Sequence, residues 1–192
     1  MPRGRRPGSP DTRAAILAAA RERFASAGFA GTTMRAVAAH AGVDAALVHH
    51  YFGTKDDLFV AALELPVDIR ARVAPVIAQG PDGAGERLIA VLLSVWDDPD
   101  NQPALQALAR SLITGERSLL SDGFIPVVVG PLLSQLVRDR PEERIPLVAS
   151  QVVGLIVTRY LIGFPPVAQA DPAVLAARIG PTVQRYLTGD LD

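Results

Sequence analysis

Cationic and imidazole side chains cluster between residues 33 and 58 of this chain. Arg35, His49, His50 and Lys55 lie there, and such groups can donate to phosphate oxygens or to base acceptors. His49 and His50 also suggest a metal pair, but neighbouring helical residues point about 100° apart. Only His40 lies near them as a third ligand, so we expect neither a metal nor a cofactor.

The residues around these groups predict how they are held. Thr33 and Asp44 are suitable helix N-caps, because their side-chain oxygens accept from first-turn N–H groups. Gly42 permits a sharp turn between two short helices, the second running from about Ala45 to Phe52. The apolar face of the first is formed by Met34, Val37, Ala38 and Ala41. Helix, glycine turn and helix is the layout of a helix-turn-helix.

A helix on each side completes the predicted unit. Ser9-Pro10-Asp11 begins the first and Ala27-Gly28 ends it. The helix after Thr54 opens on Lys55, where a lysine is unfavourable with the helix dipole. A phosphate bound at that helix start supplies a reason for it; a solvated lysine is the alternative.

This stretch resembles the DNA-binding domain of the tetracycline-repressor (TetR) family of bacterial transcription regulators over about residues 10–60. The run Tyr51-Phe52-Gly53-Thr54-Lys55-Asp56-Asp57-Leu58-Phe59 is its most specific part. The other matching residues are Phe24, Gly28, Phe29, Thr32, Thr33, Met34, Arg35, Val37, Ala38, Ala41, Gly42 and Val43. The resemblance implies an all-α protein with an N-terminal helix-turn-helix domain and a C-terminal helical bundle for ligand binding and dimerisation.

DNA contacts are expected on the second helix of the motif and beside it. Ala45, Ala46 and His49 are placed to face the major groove, while Phe52 is expected in the core. By resemblance His50, Tyr51 and Lys55 bind phosphates, and Thr33 and Arg35 can bind the facing strand. Family members differ at 44–46 and 49, so base contacts cannot be transferred and a different operator is indicated.

Arg3, Arg5 and Arg6 form an arm that could enter a minor groove. Residues 1–60 carry eight Arg and Lys against five acids, and residues 61–192 carry eleven against fifteen. The first segment, which we call the head, is therefore basic, and the second, the body, is acidic. This distribution indicates that the head binds a polyanion. We place the DNA-binding domain at 1–54 and the regulatory domain at 55–192.

The body is predicted to be helical at about 84–97, 103–115, 123–139, 142–163 and 173–188, since no β-alternation is sustained. Pro66, Pro126, Pro131 and Pro181 should bend or interrupt helices. The chain has no cysteine, which fits a cytoplasmic protein, and no uninterrupted apolar run long enough to span a membrane. The composition suggests a high-GC bacterium.

Segment 147–164 is apolar around most of its circumference and must be buried on more than one side. With the last helix it predicts a four-helix dimer interface, the family's usual mode; a wholly intramolecular core is the alternative. The interface candidates are Val152, Leu155, Ile156, Ile162, Val174, Ala177 and Val183.

The resemblance also implies a pocket for a small-molecule effector within the body. Its candidate lining residues are Trp96, Arg110, Arg117, Phe124 and Tyr160. Trp96 is also consistent with a helix end, and Tyr160 with the dimer seam. Such a ligand must bind the DNA-incompetent form better than the competent one.

These features favour a ligand-responsive repressor that binds a palindromic operator as a dimer. An architectural DNA binder without a ligand is the alternative. An all-α enzyme is disfavoured, because the chain has no dinucleotide fingerprint and no metal-ligand spacing, and the adjacent Asp97 and Asp98 cannot oppose each other on one helix face.

Overall fold

A computed structural model describes residues 10–114 and 120–191, and these contain helices and no strand. The all-α prediction is therefore confirmed. The helices are α1 (Pro10–Gly31), α2 (Met34–Ala41), α3 (Ala45–Phe52), α4 (Lys55–Ala62), α5 (Ile69–Ala78), α6 (Ala84–Trp96), α7 (Gln102–Thr114), α8 (Leu120–Leu133), α9 (Pro141–Leu161), α10 (Pro165–Ala168) and α11 (Pro172–Thr188).

The chain packs as two compact units. The first comprises Met1–Glu64 with Leu112–Phe124, and the second comprises Leu65–Ser111 with Ile125–Asp192. The first unit includes α4, because α4 packs on α1. The N-terminal part of the first unit thus ends ten residues after our predicted domain boundary at 54. That functional boundary stays a prediction.

Local capping forms the helix-turn-helix as expected. Thr33 caps α2 by accepting from the Ala36 N–H at 3.1 Å, and Asp44 caps α3 by accepting from the Ala46 N–H at 2.7 Å. Gly42 between them has φ +67°, a conformation that glycine adopts without a Cβ clash. The orientation of α3 relative to α2 is therefore set by side chains within a few residues of the turn.

Aromatic rings fill part of the first unit's core. Phe24, Phe52 and Phe59 are buried, and the Phe59 ring meets the rings of Phe24 and Phe29 edge to face at 5.0 and 5.1 Å. Gly28 breaks α1 at φ +68°, the predicted end of the first helix. The break places Phe29 beside Phe24 and Phe59.

The second unit is organised around a close crossing of α6 and α11. A Cβ at Gly85 would lie 2.3 Å from the Gly180 carbonyl oxygen, and one at Gly180 would lie 2.6 Å from the Glu86 Cα. The Gln184 side chain ties the crossing by accepting from the Gly85 N–H at 2.9 Å and donating to the Pro81 carbonyl at 3.0 Å. Glycine is thus required here for contact between the helix backbones.

The body helices agree with the predicted ranges except near prolines. The helix after Thr54 stops at Ala62, and Asp68 caps a new helix, α5, beyond Pro66. α8 begins at Leu120 and ends at Leu133, shorter than the predicted 123–139 at its far end; its Leu120–Val129 part, with Pro126, has π-helical hydrogen bonding. α9 also closes on a π-helical turn, Val157–Leu161.

Candidate DNA-binding site

The outer face of α3 is open to solvent. Ala46, His49 and His50 are exposed and Ala45 is half-buried, while Val48 and Phe52 are buried on the opposite side. Since Ala45 and His49 are one helical turn apart, as are Ala46 and His50, the four side chains share one face. Small alanines beside two imidazoles make a surface that can approach closely and still offer polar nitrogens.

The imidazole of His49 is fixed by its own helix end. Its Nδ1 lies 3.0 Å from the Gly53 carbonyl oxygen, a geometry in which Nδ1–H donates to that oxygen. Nε2 is then the nitrogen that can meet a ligand, as an acceptor in the neutral ring or a donor in the imidazolium. The ring of His50 packs edge-on against Tyr51, with centroids 5.5 Å apart.

Tyr51 requires a correction. Its hydroxyl is buried and has no hydrogen-bond partner among the described residues, so in this conformation it does not reach a phosphate as the resemblance implies. The ring instead gives His50 a packing surface. Phe52 is 7% exposed and belongs to the core, as predicted.

Lys55 occupies the first position of α4, and its ammonium lies over an aromatic ring. The Nζ atom is 4.2 Å from the centroid of Phe29. The nearby carboxylate of Asp57 accepts from the Thr54 hydroxyl at 2.6 Å and from the Thr54 N–H at 3.3 Å, in a capping box. The helix start therefore keeps a cation whose charge the ring does not neutralise.

Some cations of the first unit form ion pairs with carboxylates, and others form none with the described residues. Arg21 binds Glu64, and the His40 Nε2 lies 2.8 Å from the Glu22 carboxylate. Arg35 is exposed without a carboxylate partner in the described part of the chain. The Thr33 hydroxyl accepts as the α2 cap and remains free to donate.

Arg13 was not among the predicted contacts. It is exposed on α1, and its guanidinium lies 5.2 Å from the centroid of the Phe52 ring. It forms no ion pair with a residue between 12 and 110. Packing across the unit, rather than spacing along the chain, places this cation at the end of α3. Arg3, Arg5 and Arg6 lie outside the described residues.

The predicted dimer residues divide by burial. Ile162 is 69% and Val174 41% exposed; Ala177 is exposed, and Val152 and Ile156 are half-buried. Leu155 and Val183, at 4% and 0% exposed, require a correction: they pack inside their own unit and offer no surface to a partner. Leu147 and Phe164 are further exposed apolar side chains that we did not predict.

The predicted pocket residues do not form one cluster. Trp96, the last residue of α6, stacks on Tyr160 with ring centroids 5.0 Å apart. Both are buried in the second unit, which removes Tyr160 from the dimer seam. Phe124 belongs to the first unit, Arg110 is exposed on α7, and Arg117 lies outside the described residues.

Asp97 joins Trp96 and Tyr160 to a buried arginine. The Tyr160 hydroxyl donates to Asp97 at 2.9 Å, and the Arg159 guanidinium donates to both oxygens of the same carboxylate at 3.1–3.3 Å. Burial and the hydrogen bond to Asp97 raise the pKa of Tyr160 far above its usual value. Burial lowers the pKa of Arg159, but bonds to Asp97 and Tyr160 outweigh it and the net shift is upward.

One described helix, Pro141–Leu161, is long and apolar enough to cross a membrane by length and composition alone. Its most apolar window has a mean hydropathy of 1.2 and is 22% buried. Core helices of globular proteins meet the same criterion, so this is weak evidence for a span. No group of three or more His, Asp or Glu suited to a metal occurs among the residues that could be searched.

Comparison with known proteins gives matches over both parts of the chain. Residues 16–62 match the model for bacterial regulatory proteins of the tetR family, and residues 82–187 match the tetracyclin repressor-like C-terminal domain. The crystal structure of a TetR-family regulator from Streptomyces coelicolor A3 is 40% identical, with a TM-score of 0.56, over 96% of this chain and 99% of the other.

Two sequence relatives are named as transcriptional regulators. The HTH-type transcriptional regulator BetI of Burkholderia thailandensis is 36% identical over 45% of each chain. The HTH-type transcriptional regulator HbdR of Aromatoleum sp. is 30% identical over 56% of this chain and 49% of its own. The chain thus spans about half the length of these relatives.

Proposed function

The chain belongs to the tetR family of bacterial regulatory proteins, and on this premise we propose that it is a ligand-responsive transcriptional repressor of the cytoplasm. It binds a palindromic operator as a homodimer and is released by a small-molecule effector. The family and the named relatives are regulators rather than enzymes, in agreement with the sequence argument against an enzyme.

The solvent-open face of α3 carries this proposal. Ala45, Ala46, His49 and His50 cover one side of a helix whose other side is anchored by buried Val48 and Phe52. A rigid helix with a small, polar outer face fits the major groove. Cations at Arg13, Arg35 and Lys55 supply sequence-independent attraction to phosphates, because no carboxylate of the described residues forms an ion pair with them.

Exposed apolar residues on and beside α9 and α11 support homodimerisation. Leu147, Ile162 and Val174 expose 36%, 69% and 41% of their surfaces, and 22% of the most apolar window of the Pro141–Leu161 helix is buried. A second copy covering this surface removes it from water. A two-fold dimer also presents two α3 helices to the two halves of a palindrome.

Release by an effector requires two body states with different ligand affinity. Trp96 and Tyr160, which stack within the second unit, remain our proposed lining. The stacked Trp96–Tyr160 pair fits an apolar wall, and Asp97 beside it fits a polar anchor. A ligand that separates these rings would disturb the junction of α6 and α9.

The decisive experiment starts from the DNA upstream of the chain's own gene. An inverted repeat there should shift in a gel with the purified protein and show a short symmetric footprint. Ala46→Glu should abolish the shift, because a carboxylate on the groove face meets phosphates. The matched control is Ala90→Glu, at an exposed alanine of α6 in the second unit, which should bind normally.

The footprint also separates the alternatives. Uniform coating of DNA without a preferred site would support an architectural binder and contradict the repressor. A monomer by sedimentation at the concentration that gives the shift would contradict the dimer. Retained binding by Ala46→Glu would contradict the assignment of α3 as the reading helix.

A further inference from the structure

The ammonium of Lys55 is held in an unusual way for a candidate phosphate contact. It lies 4.2 Å over the Phe29 ring, although Asp56 and Asp57 follow it directly in the chain. The Asp57 carboxylate accepts hydrogen bonds from the Thr54 hydroxyl and the Thr54 N–H. The contact of the ammonium among the described residues is therefore with an uncharged ring, which does not neutralise it.

Positioning of this kind favours binding. A lysine side chain has a flexible four-carbon stem, and immobilising it at an interface costs free energy. A cation over an aromatic face is already restricted before DNA arrives. The ring attracts the ammonium through its quadrupole and leaves its N–H groups able to donate to phosphate oxygens.

The Phe29 ring is itself fixed from behind. Its centroid is 5.1 Å from that of Phe59, which is fully buried, and 6.0 Å from that of Phe24. Gly123 of α8 closes this cluster: a Cβ there would lie 2.8 Å from the Phe59 Cζ and 3.3 Å from the Phe29 Cβ. The rings therefore have little freedom to move while the first turn of α8 stays in place.

We propose that Phe29 is a positioning residue for Lys55, and that the close approach of Gly123 sets where Phe29 holds the ammonium. The proposal rests on the proposed DNA-binding function. Leu120–Phe124 of α8 belongs to the first unit and the rest of the same helix to the second. A displacement of the first turn of α8 is therefore transmitted through Phe59 and Phe29 to the Lys55 ammonium, the proposed phosphate contact.

The contact can be measured without DNA, because Lys55 is the only lysine in the chain. Biosynthetic 13C-lysine labelling then gives one set of lysine signals by NMR. Its Hε protons should be shifted upfield by the ring current of Phe29. Phe29→Leu should abolish the shift, and Phe29→Tyr, which keeps the ring, should preserve it.

The effect on DNA is measured by a double-mutant cycle on the upstream inverted repeat. Phe29→Leu should weaken binding about two- to fivefold without changing the salt slope. Lys55→Met should weaken it further and lower the slope by about one unit. In the Lys55→Met background, Phe29→Leu should have no added effect, whereas a general structural defect would weaken binding in both backgrounds.

Gly123→Ala tests the link to α8. It should change the Lys55 Hε shift and weaken binding only when Lys55 is present, with thermal unfolding run alongside to verify folding. An unshifted Hε signal in the wild type, additive losses in the cycle, or a Gly123→Ala protein with wild-type shift and affinity would each overturn the proposal. A shifted signal in a protein that binds no DNA would instead contradict the proposed function alone.

Discussion

Two arginines of the second unit and two of the first lie in opposite environments. In the second unit Arg144 and Arg159 have side chains 3% and 8% exposed, each bound to a carboxylate and to backbone carbonyls. In the first, Arg13 and Arg35 are exposed and make no ion pair within the described ranges. A buried charge must be neutralised internally, whereas a charge left in solvent attracts an external polyanion. Arginine thus stabilises the second unit where it is buried and paired, and provides positive charge for DNA binding where it is exposed in the first unit.

The largest expected effect is on the packing of the body. Gly180→Ala should destabilise the protein by about 3 kcal/mol or more, because its Cβ would meet backbone atoms of α6 that cannot turn away. Urea unfolding measures the loss. Gly31→Ala is the matched control, since its Cβ would lie at an ordinary 3.5 Å from Ala27, and it should stay within about 0.5 kcal/mol of wild type. Equal stability of both variants would contradict the close crossing.

Replacing the buried, hydrogen-bonded Arg159 should destabilise the protein less than Gly180→Ala does, but the loss should still be large. Arg159→Met leaves the carbonyls of Val167 and Ala170 without this donor, and leaves Asp97 without its cation and with the Tyr160 hydroxyl as its remaining side-chain donor among the described residues. We expect a loss of about 3 kcal/mol, the lower end for a broken buried pair, since Asp97 keeps 30% of its side-chain exposure. Denaturant unfolding checks it. An unchanged midpoint would show that water replaces the arginine without penalty.

Removing an unpaired arginine should affect DNA and leave stability alone. Arg35→Gln should weaken operator binding about tenfold and lower the salt slope by about one unit, with an unchanged unfolding midpoint. Arg21→Gln, at a side chain paired with Glu64, should bind almost normally. Fluorescence anisotropy over a salt series measures both. If Arg21→Gln lost as much affinity as Arg35→Gln, the division into paired and unpaired cations would have no functional meaning.

The smallest expected effect concerns alkaline pH. Because the folded pKa of Tyr160 is raised, the folded state keeps a proton that the unfolded tyrosine releases above about pH 10. Stability should therefore be complete below that pH and fall above it by at most about 1.4 kcal/mol per pH unit. Tyr160→Phe should lose about 1 kcal/mol at neutral pH and show a shallower alkaline decline. Parallel profiles would contradict the burial of this hydroxyl.

Local signals predicted the first unit well and the second unit less well. The caps at Thr33 and Asp44 and the turn at Gly42 each depend on atoms within a few residues, and all are confirmed. Leu155 and Val183, which the sequence predicts at the dimer interface, lie on the inner side of their helices. Both helices are apolar on more than one face, and periodicity alone does not say which face the chain itself covers.

Short-range chemistry in the sequence determined the helical class, the helix-turn-helix and the exposed, weakly polar face of α3. Tertiary structure alone decided that Lys55 meets Phe29, that Trp96 meets Tyr160, and that the Tyr51 hydroxyl turns inward. The physical reason is separation along the chain. Capping and turn preferences act over three or four residues, but partners 26 or 64 residues apart are chosen by close packing of the whole unit.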